Sequence, residues 1–246
     1  MLNITTRQDL MRTIVETLGV IVEEALFEID ENALKVRVVD PSHVAMIKME
    51  VDSAAFSTWE VDSTDIGLEV NKIRDLLGLA GPNDLIEMTY DADMGQAKFV
   101  IGKIDRIIRP LDNSTLSPPN VPAIDLPCKV TLSGAELAQA LKAARQVGDL
   151  VHLSLDDKEF TVHVRGGTDE VNVSFGQDEL ASMECPSAAR SQYSLTYLLP
   201  MAKIFSAVAE VDLSFGENLP LNMVFDFHDG AGHVEYFLAP RVEGDF

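Results

Sequence analysis

Two pairs of side chains in this 246-residue chain are of types that do acid–base or metal chemistry. Asp40 and His43 stand three apart, and a carboxylate beside an imidazole suits proton transfer. They lie just ahead of a strand pattern, however, with no nucleophile motif nearby. His228 and His233 are the metal-hydrolase candidates. They flank Asp229-Gly230-Ala231-Gly232, a hairpin-turn sequence, and lack the i, i+4 helical spacing of a zinc pair. Cys128 and Cys185 are too few for a disulfide framework and are not spaced as metal ligands. Neither this glycine-containing turn nor Arg165-Gly166-Gly167 has the form of a phosphate loop or dinucleotide fingerprint. The reading is a non-enzyme: no catalytic residue, no metal and no cofactor.

The elements that must hold these residues occur twice. Phe27, Ile29, Leu34, Val36 and Val38 alternate about a polar turn at Asp30, the pattern of two half-buried strands in a hairpin. Leu153, Leu155, Phe160, Val162 and Val164 repeat it about Asp156, every position displaced by 126. An amphipathic helix is predicted ahead of each hairpin. The first runs from Arg7 to Leu18, with Leu10, Met11, Ile14, Val15 and Leu18 on one face. Thr6 and Asp9 sit as a capping box and Gly19 ends it. The second opens on Ser133-Gly134-Ala135-Glu136, sets Leu137, Ala140, Leu141, Ala144 and Val147 inward, and stops at Gly148.

A later helix follows in each half. One carries Ile73, Leu76, Leu77 and Ala80 before Gly81-Pro82; the other carries Leu198, Met201, Ile204, Phe205 and Val208. Alternating runs such as Val171, Val173, Phe175 and Val234, Tyr236, Leu238 supply further strands. Pro110, Pro118, Pro119, Pro122 and Pro127 crowd a stretch that can neither continue a helix nor pair as a central strand. The expected organisation is α+β. Two similar domains, 1–112 and 128–246, each with two helices and antiparallel sheets, flank a connector at 113–127.

The charge is sorted by element. Forty acidic residues face 19 basic ones, a formal −21 that as a whole repels phosphate. The helices, taken as Arg7–Leu18, Lys72–Ala80, Gly134–Val147 and Tyr197–Val208, hold Arg7, Arg12, Lys72, Arg74, Lys142, Arg145 and Lys203. Against these stand only Asp9, Glu16, Asp75 and Glu136, so the helices carry +3 and the remainder −24. Solvated helix faces explain part of this, since lysine and arginine are good helix formers. One surface that meets phosphate without reading sequence explains it more sharply. No recognition helix or zinc-finger spacing points to base reading. No apolar run is long enough for a membrane span, and the first residues lack a secretory signal, so the expected address is cytoplasmic.

Two motifs carry a family resemblance. Val38-Val39-Asp40-Pro41-Ser42-His43-Val44-Ala45-Met46 resembles the Asp-x-x-His-Val segment of PCNA, the DNA sliding clamp family, in its archaeal form. Tyr236-Phe237-Leu238-Ala239-Pro240-Arg241-Val242 resembles the Leu-Ala-Pro-Lys/Arg signature on which that family ends. Val70-Asn71-Lys72-Ile73, Ala80-Gly81 and Gly148-Asp149 fall in order between them, so the likeness spans the whole chain.

The resemblance implies a six-domain ring, homotrimeric or heterotrimeric, with helices lining a hole for duplex DNA and sheets outside. Arg12, Lys142 and Lys203 stand at basic family positions, with Arg7, Lys72, Arg74 and Arg145 as nearby substitutes. Gly19, Asp75 and Gly78 depart from that pattern and leave the inner surface less basic. A groove between the domains would take a short client peptide on Val39, His43, Val44, Met46, Val121, Ile124, Pro220, Phe237, Ala239, Pro240 and Arg241. Ring closure would pair the edge at Arg106, Ile107, Ile108 and Arg109 with the one at Val171, Val173 and Phe175, the arginines reaching Asp178 or Glu179. The implied partners are duplex DNA, two further copies of the chain, DNA polymerase, flap endonuclease, DNA ligase and the clamp loader, and no membrane. The alternative is a clamp-like scaffold that binds clients as a heterotrimer member or without encircling DNA.

Overall fold

Alternation at the start of the chain builds a strand, not the first turn of a helix. Leu2, Ile4 and Thr6 are buried on one side of β1 (Leu2–Arg7), and α1 (Gln8–Leu18) begins only after it. The capping box expected from Thr6 and Asp9 is therefore absent. Thr6 is buried in the strand, and Arg7 is the N-cap, with no side-chain hydrogen bond that caps the helix N–H groups. Asp9 instead accepts from the Leu10 N–H at 2.9 Å and pairs with Arg7 at 2.8 Å. The computed structural model describes residues 2–81 and 83–241; Pro82 and Val242, both in motifs read above, lie outside the described residues.

The chain divides into two compact units. One is the chain through Val121 together with Asp226–Val234; the other is Pro122–Phe225 together with the chain from Glu235 on. In the first unit β1 and α1 are followed by β2 (Glu24–Ile29), β3 (Ala33–Val39), β4 (Ala45–Asp52), β5 (Thr58–Val61) and β6 (Thr64–Glu69). Then come α2 (Val70–Leu77), β7 (Leu85–Asp91), β8 (Gln96–Ile101) and β9 (Ile104–Ile108). The second half of the chain repeats this series as β10 (Cys128–Ser133), α3 (Gly134–Arg145), β11 (Leu150–Leu155), β12 (Glu159–Arg165), β13 (Glu170–Gly176), β14 (Ser182–Glu184) and β15 (Ala189–Ser194). It closes with α4 (Leu195–Phe205), β16 (Glu210–Phe215), β17 (Leu221–Phe227) and β18 (Gly232–Leu238).

Strand order is duplicated along with element order. The runs β5-β1-β7-β8-β9 and β4-β3-β2-β6 of the first half of the chain match β14-β10-β16-β17-β18 and β13-β12-β11-β15 of the second half. The hairpins agree in register: Phe27 faces Val36 and Ile29 faces Leu34, while Leu153 faces Val162 and Leu155 faces Phe160. Even the turns coincide. Asp30 accepts from the N–H groups of Asn32 and Ala33 at 2.8 and 3.0 Å, and Asp156 from those of Lys158 and Glu159 at 2.8 and 3.0 Å.

These turns give the fold an acid sensitivity. The hydrogen bond from Lys35, then those from the backbone, pull Asp30 from about 3.8 down to about 2; two backbone N–H groups lower Asp156. A depressed carboxyl stabilises the fold above its ordinary value, and that contribution vanishes as pH falls through the depressed one. Asp30→Asn is therefore expected to lower Tm near pH 6, with the gap to wild type closing between about pH 4 and pH 2. Melting curves followed by circular dichroism check this, and a gap that persists at pH 2 refutes it.

Each helix buries most of its predicted apolar face, although Ala80, Ile204 and Val208 stay half-buried. Leu10, Met11, Ile14, Val15 and Leu18 of α1 and Ile73, Leu76 and Leu77 of α2 are all buried, as are Leu137, Ala140, Leu141 and Ala144 of α3. The expected helix ends run too far at three places: α2 stops at Leu77, α3 at Arg145 and α4 at Phe205, leaving Val147 and Val208 outside. Ser133 does cap α3, accepting from the Glu136 N–H at 3.4 Å. Gly134 beside it has a steric reason, because a Cβ there would run into the carbonyl oxygen of Phe205 where α4 ends. Gly19 closes α1 with ordinary right-handed φ, and its missing side chain makes room for the Arg74 guanidinium, 3.2 Å from a Cβ placed there.

Candidate functional site

The helix cations are mostly held by carboxylates one turn away. Arg12 reaches Glu16 at 3.4 Å and donates to the Leu77 carbonyl at 3.0 Å, tying α1 to the end of α2. Lys72 pairs with Glu69 at 2.5 Å, Arg145 with Asp149, and Arg7 with Asp9. Arg74 donates to the neutral amide of Asn71. Lys142 and Lys203, exposed on the mutually packed α3 and α4, have no ion pair among the described residues. With Arg7 on the strand, the helices hold six basic and four acidic residues, a smaller surplus than the sequence count. Exposed pairs of this kind contribute about 0–1 kcal/mol, so a phosphate can displace the carboxylate at little cost.

A second group of residues gathers at the end of the chain. A cavity of about 240 Å³ in the second unit is walled by the connector from Pro122 to Leu126 and by Lys129, Ser214, Asn222, Glu235 and Phe237. Phe237 is 8% exposed, Leu126 6% and Ile124 37%, and Asp125, Lys129, Ser214, Asn222 and Glu235 make the wall otherwise largely polar. Ile124 and Phe237, both expected from sequence at a client groove, line this cavity, as does Leu126, which was not among the expected residues. After β18 the chain continues through half-buried Ala239 and Pro240 to Arg241, whose N–H donates to the Gln192 carbonyl at 2.7 Å. Pro220 is half-buried before β17.

Val39, His43, Val44, Met46 and Val121 lie in the first unit. The segment from Asp40 to Ala45 is a loop built on one buried carboxylate. Asp40 is 4% exposed and accepts from the N–H groups of Ser42, Val44 and Ala45 at 2.9, 2.6 and 2.6 Å. His43 is thereby turned out with φ +56° and is exposed, Val44 is half-buried and Met46 is buried at the start of β4. Asp40 thus organises backbone and is not set up as a proton-transfer partner of His43.

The connector is not free chain. Leu111 donates to the Gly67 carbonyl at 2.9 Å, Asn113 exchanges hydrogen bonds with Gly67 and Asp65, and Arg37 donates to the Pro119 carbonyl at 3.4 Å. The metal-hydrolase candidate also resolves into structure. His228, Asp229 and Gly230 all have positive φ in the β17–β18 turn, and His233 binds Asp226 at 2.7 Å.

Among the strands at sheet edges are β9 in the first unit and β13 in the second. On β9, Ile107 is 57% exposed and Ile104 38%, whereas Ile108 is spent in its own core. Arg106 is turned inward to the Lys72 carbonyl at 3.0 Å, and Arg109 is exposed just past the strand. On β13, Val171 and Val173 are half-exposed, while Phe175 is buried against Phe160. Glu179 accepts from the Gly176 N–H at 2.9 Å. Ile104, exposed beside Ile107, was not among the residues expected at this edge.

Against known proteins, residues 1–109 match the N-terminal domain of the proliferating cell nuclear antigen family and residues 120–241 its C-terminal domain. The DNA polymerase sliding clamp of Methanosarcina barkeri is 37% identical over 238 residues, 96% of this chain and 97% of that one. That of Methanosphaerula palustris is 36% identical over 248 residues, with both chains fully covered. A structure of A. fulgidus PCNA bound to the C-terminal region of FEN-1 superposes with a TM-score of 0.94 at 26% identity over the whole of both chains. PCNA of Thermococcus kodakaraensis shares the fold, with a TM-score of 0.88 at 22% identity over 98% of this chain and 100% of that one.

Proposed function

This chain belongs to the proliferating cell nuclear antigen family of DNA polymerase sliding clamps, non-enzymatic processivity factors, and from that premise we propose how it does the work. Three copies close a ring around duplex DNA in the cytoplasm and tether client proteins to it. The observation that carries this reading is the ordered match of both halves to the two family domains. Tethering does no chemistry: it raises the effective concentration of a client at the primer terminus.

Each part of the ring has its residues. Lys142 and Lys203, with the guanidinium of Arg74, are the phosphate contacts. Arg7, Arg12, Lys72 and Arg145 join them by exchanging a carboxylate for a phosphate. Such contacts fix no register and read no base, which suits sliding. The joint between copies pairs β9 with β13 and buries Ile104 and Ile107 against Val171 and Val173, with Arg109 free to meet Asp178 of the next copy. A. fulgidus PCNA has the C-terminal region of FEN-1 bound to it, and on this chain client peptides lay apolar anchors on Ile124, Pro220, Phe237, Ala239 and Pro240. Val39, His43, Val44, Met46 and Val121 are the client contacts proposed on the first unit, and Arg241 offers backbone for pairing. Polymerase, flap endonuclease, ligase and clamp loader are the clients that this surface serves.

Light scattering coupled to size exclusion tests the assembly. A mass of three subunits is expected at both low and high salt, because the joint is apolar and little screened. A chain that stays monomeric at every salt overturns the homotrimer and favours a heterotrimer member or a scaffold that does not encircle DNA.

A further inference from the structure

The two cysteines, fifty-seven positions apart, meet across a sheet edge. In the β10–β14 ladder Lys129 faces Glu184, Val130 faces Met183 and Thr131 faces Ser182. One step further the same antiparallel register sets Cys128 opposite Cys185, and their Sγ atoms lie 3.6 Å apart. Directly opposed residues in an antiparallel pair have the Cα spacing that a disulfide spans. Both are free thiols, Cys128 buried and Cys185 half-exposed.

The surroundings converge on this pair. The Ser187 carbonyl accepts from Cys128 at 3.4 Å and from Cys185 at 3.2 Å, and the Leu155 carbonyl accepts from Cys185 at 3.2 Å. Cys185 sits just beyond the end of β14, in the short stretch before β15, where the chain is not fixed in a ladder. Closing the gap to bonding distance therefore asks for side-chain rotation and a small shift of that stretch, not for movement of the core.

We infer that Cys128 and Cys185 form a peroxide-sensitive dithiol, in which Cys185 is the site of oxidation and Cys128 resolves it to an intrachain disulfide. The Cys185 sulfur, after losing its proton, attacks one oxygen of hydrogen peroxide. An S–O bond forms, the O–O bond breaks, and the departing hydroxide takes up the released proton as water. The Cys128 sulfur then attacks the sulfenic sulfur; the S–S bond forms, the S–O bond breaks, and the oxygen leaves with the Cys128 proton as a second water. Two thiols lose two electrons and one peroxide gains them. Burial, then the neighbouring Cys185 sulfur, push the Cys128 thiol up to about 12, which assigns the first attack to the more exposed partner. The bond ties the stretch before β15 to the start of β10 and constrains the unfolded chain, so the oxidised form is the more heat-stable one.

The test treats the purified full chain with hydrogen peroxide and measures intact mass, alkylatable thiols after denaturation, and Tm. A mass lower by two hydrogens, a fall from two thiols to none, a tryptic peptide joining Cys128 to Cys185 and a Tm raised by several degrees are expected, all reversed by phosphine. Cys128→Ser should stop at a sulfenic acid on Cys185 that dimedone captures. Two thiols surviving peroxide, or a doubled mass on a non-reducing gel, would overturn the inference. The wild-type thiol count decides the matter even where a serine variant folds poorly.

Discussion

Ile107→Glu is expected to leave the chain folded and to convert the three-subunit particle into monomers at micromolar concentration. Ile107 is 57% exposed on an edge strand, so its replacement removes nothing from the core of its own unit. In the proposed ring the same side chain is buried at every joint. Burying an isoleucine contributes about 2 kcal/mol. A closed trimer has three joints, so the loss is about 6 kcal/mol, or roughly four powers of ten in the assembly constant. The new carboxylate also enters acidic company, since β13 begins at Glu170 directly after Asp169. Ile107→Lys should accordingly weaken the ring less than glutamate does. Size exclusion with light scattering reads both variants, and melting curves confirm that each stays folded. A trimer mass retained by the glutamate variant would falsify the assignment of β9 to the joint.

Most of the fold was legible because it is written twice. The hairpin spacing recurs with a displacement of 126, and the structure returns the same register and the same aspartate turn in both copies. What the sequence hid was competition between elements for the same residues. Thr6 and Asp9 have the form of a capping box, yet Leu2, Ile4 and Thr6 alternate as a strand, and β1 pairs with both β5 and β7. Tertiary pairing takes Thr6 from the helix. The helix charge was overcounted for a related reason. Glu69 and Asp149 fall just outside the spans counted as helix, yet Glu69 reaches forward to hold Lys72 and Asp149 reaches back to hold Arg145.

The site was legible in type more than in depth. Alternation marks which residues lie on an edge strand, but not which of them the chain buries in its own core. Ile108 and Phe175 turn inward, whereas Ile104 and Ile107 remain out. Arg106 looked free for a partner and is bound to the Lys72 carbonyl, because α2 lies within its reach. No period in sequence reports such a local acceptor.

Replacing Phe237 and Pro240 together with alanine is expected to abolish stimulation of a client polymerase while the ring keeps its mass. The two changes act by different means. Phe237 is only 8% exposed, so its truncation empties space inside the second unit and costs about 3 kcal/mol or more of stability. Loss of stimulation by Phe237→Ala alone could therefore reflect a loosened fold as well as a lost anchor site. Pro240 is half-buried beyond the end of β18, and Ile124 is 37% exposed at the rim of the cavity. Pro240→Ala and Ile124→Asp remove contact surface without opening the core. Each should cost a client peptide about 2 kcal/mol, roughly thirtyfold in affinity, if its anchors seat where Ile124 and Phe237 meet. Fluorescence anisotropy with a flap-endonuclease peptide and primer extension with and without the clamp give the two readouts. Should Ile124→Asp and Pro240→Ala bind and stimulate as wild type while Phe237→Ala does not, Phe237 is core alone and clients dock elsewhere. Parallel loss in all three variants, with Tm lowered only for Phe237→Ala, places the anchors in this cavity and separates recognition from folding.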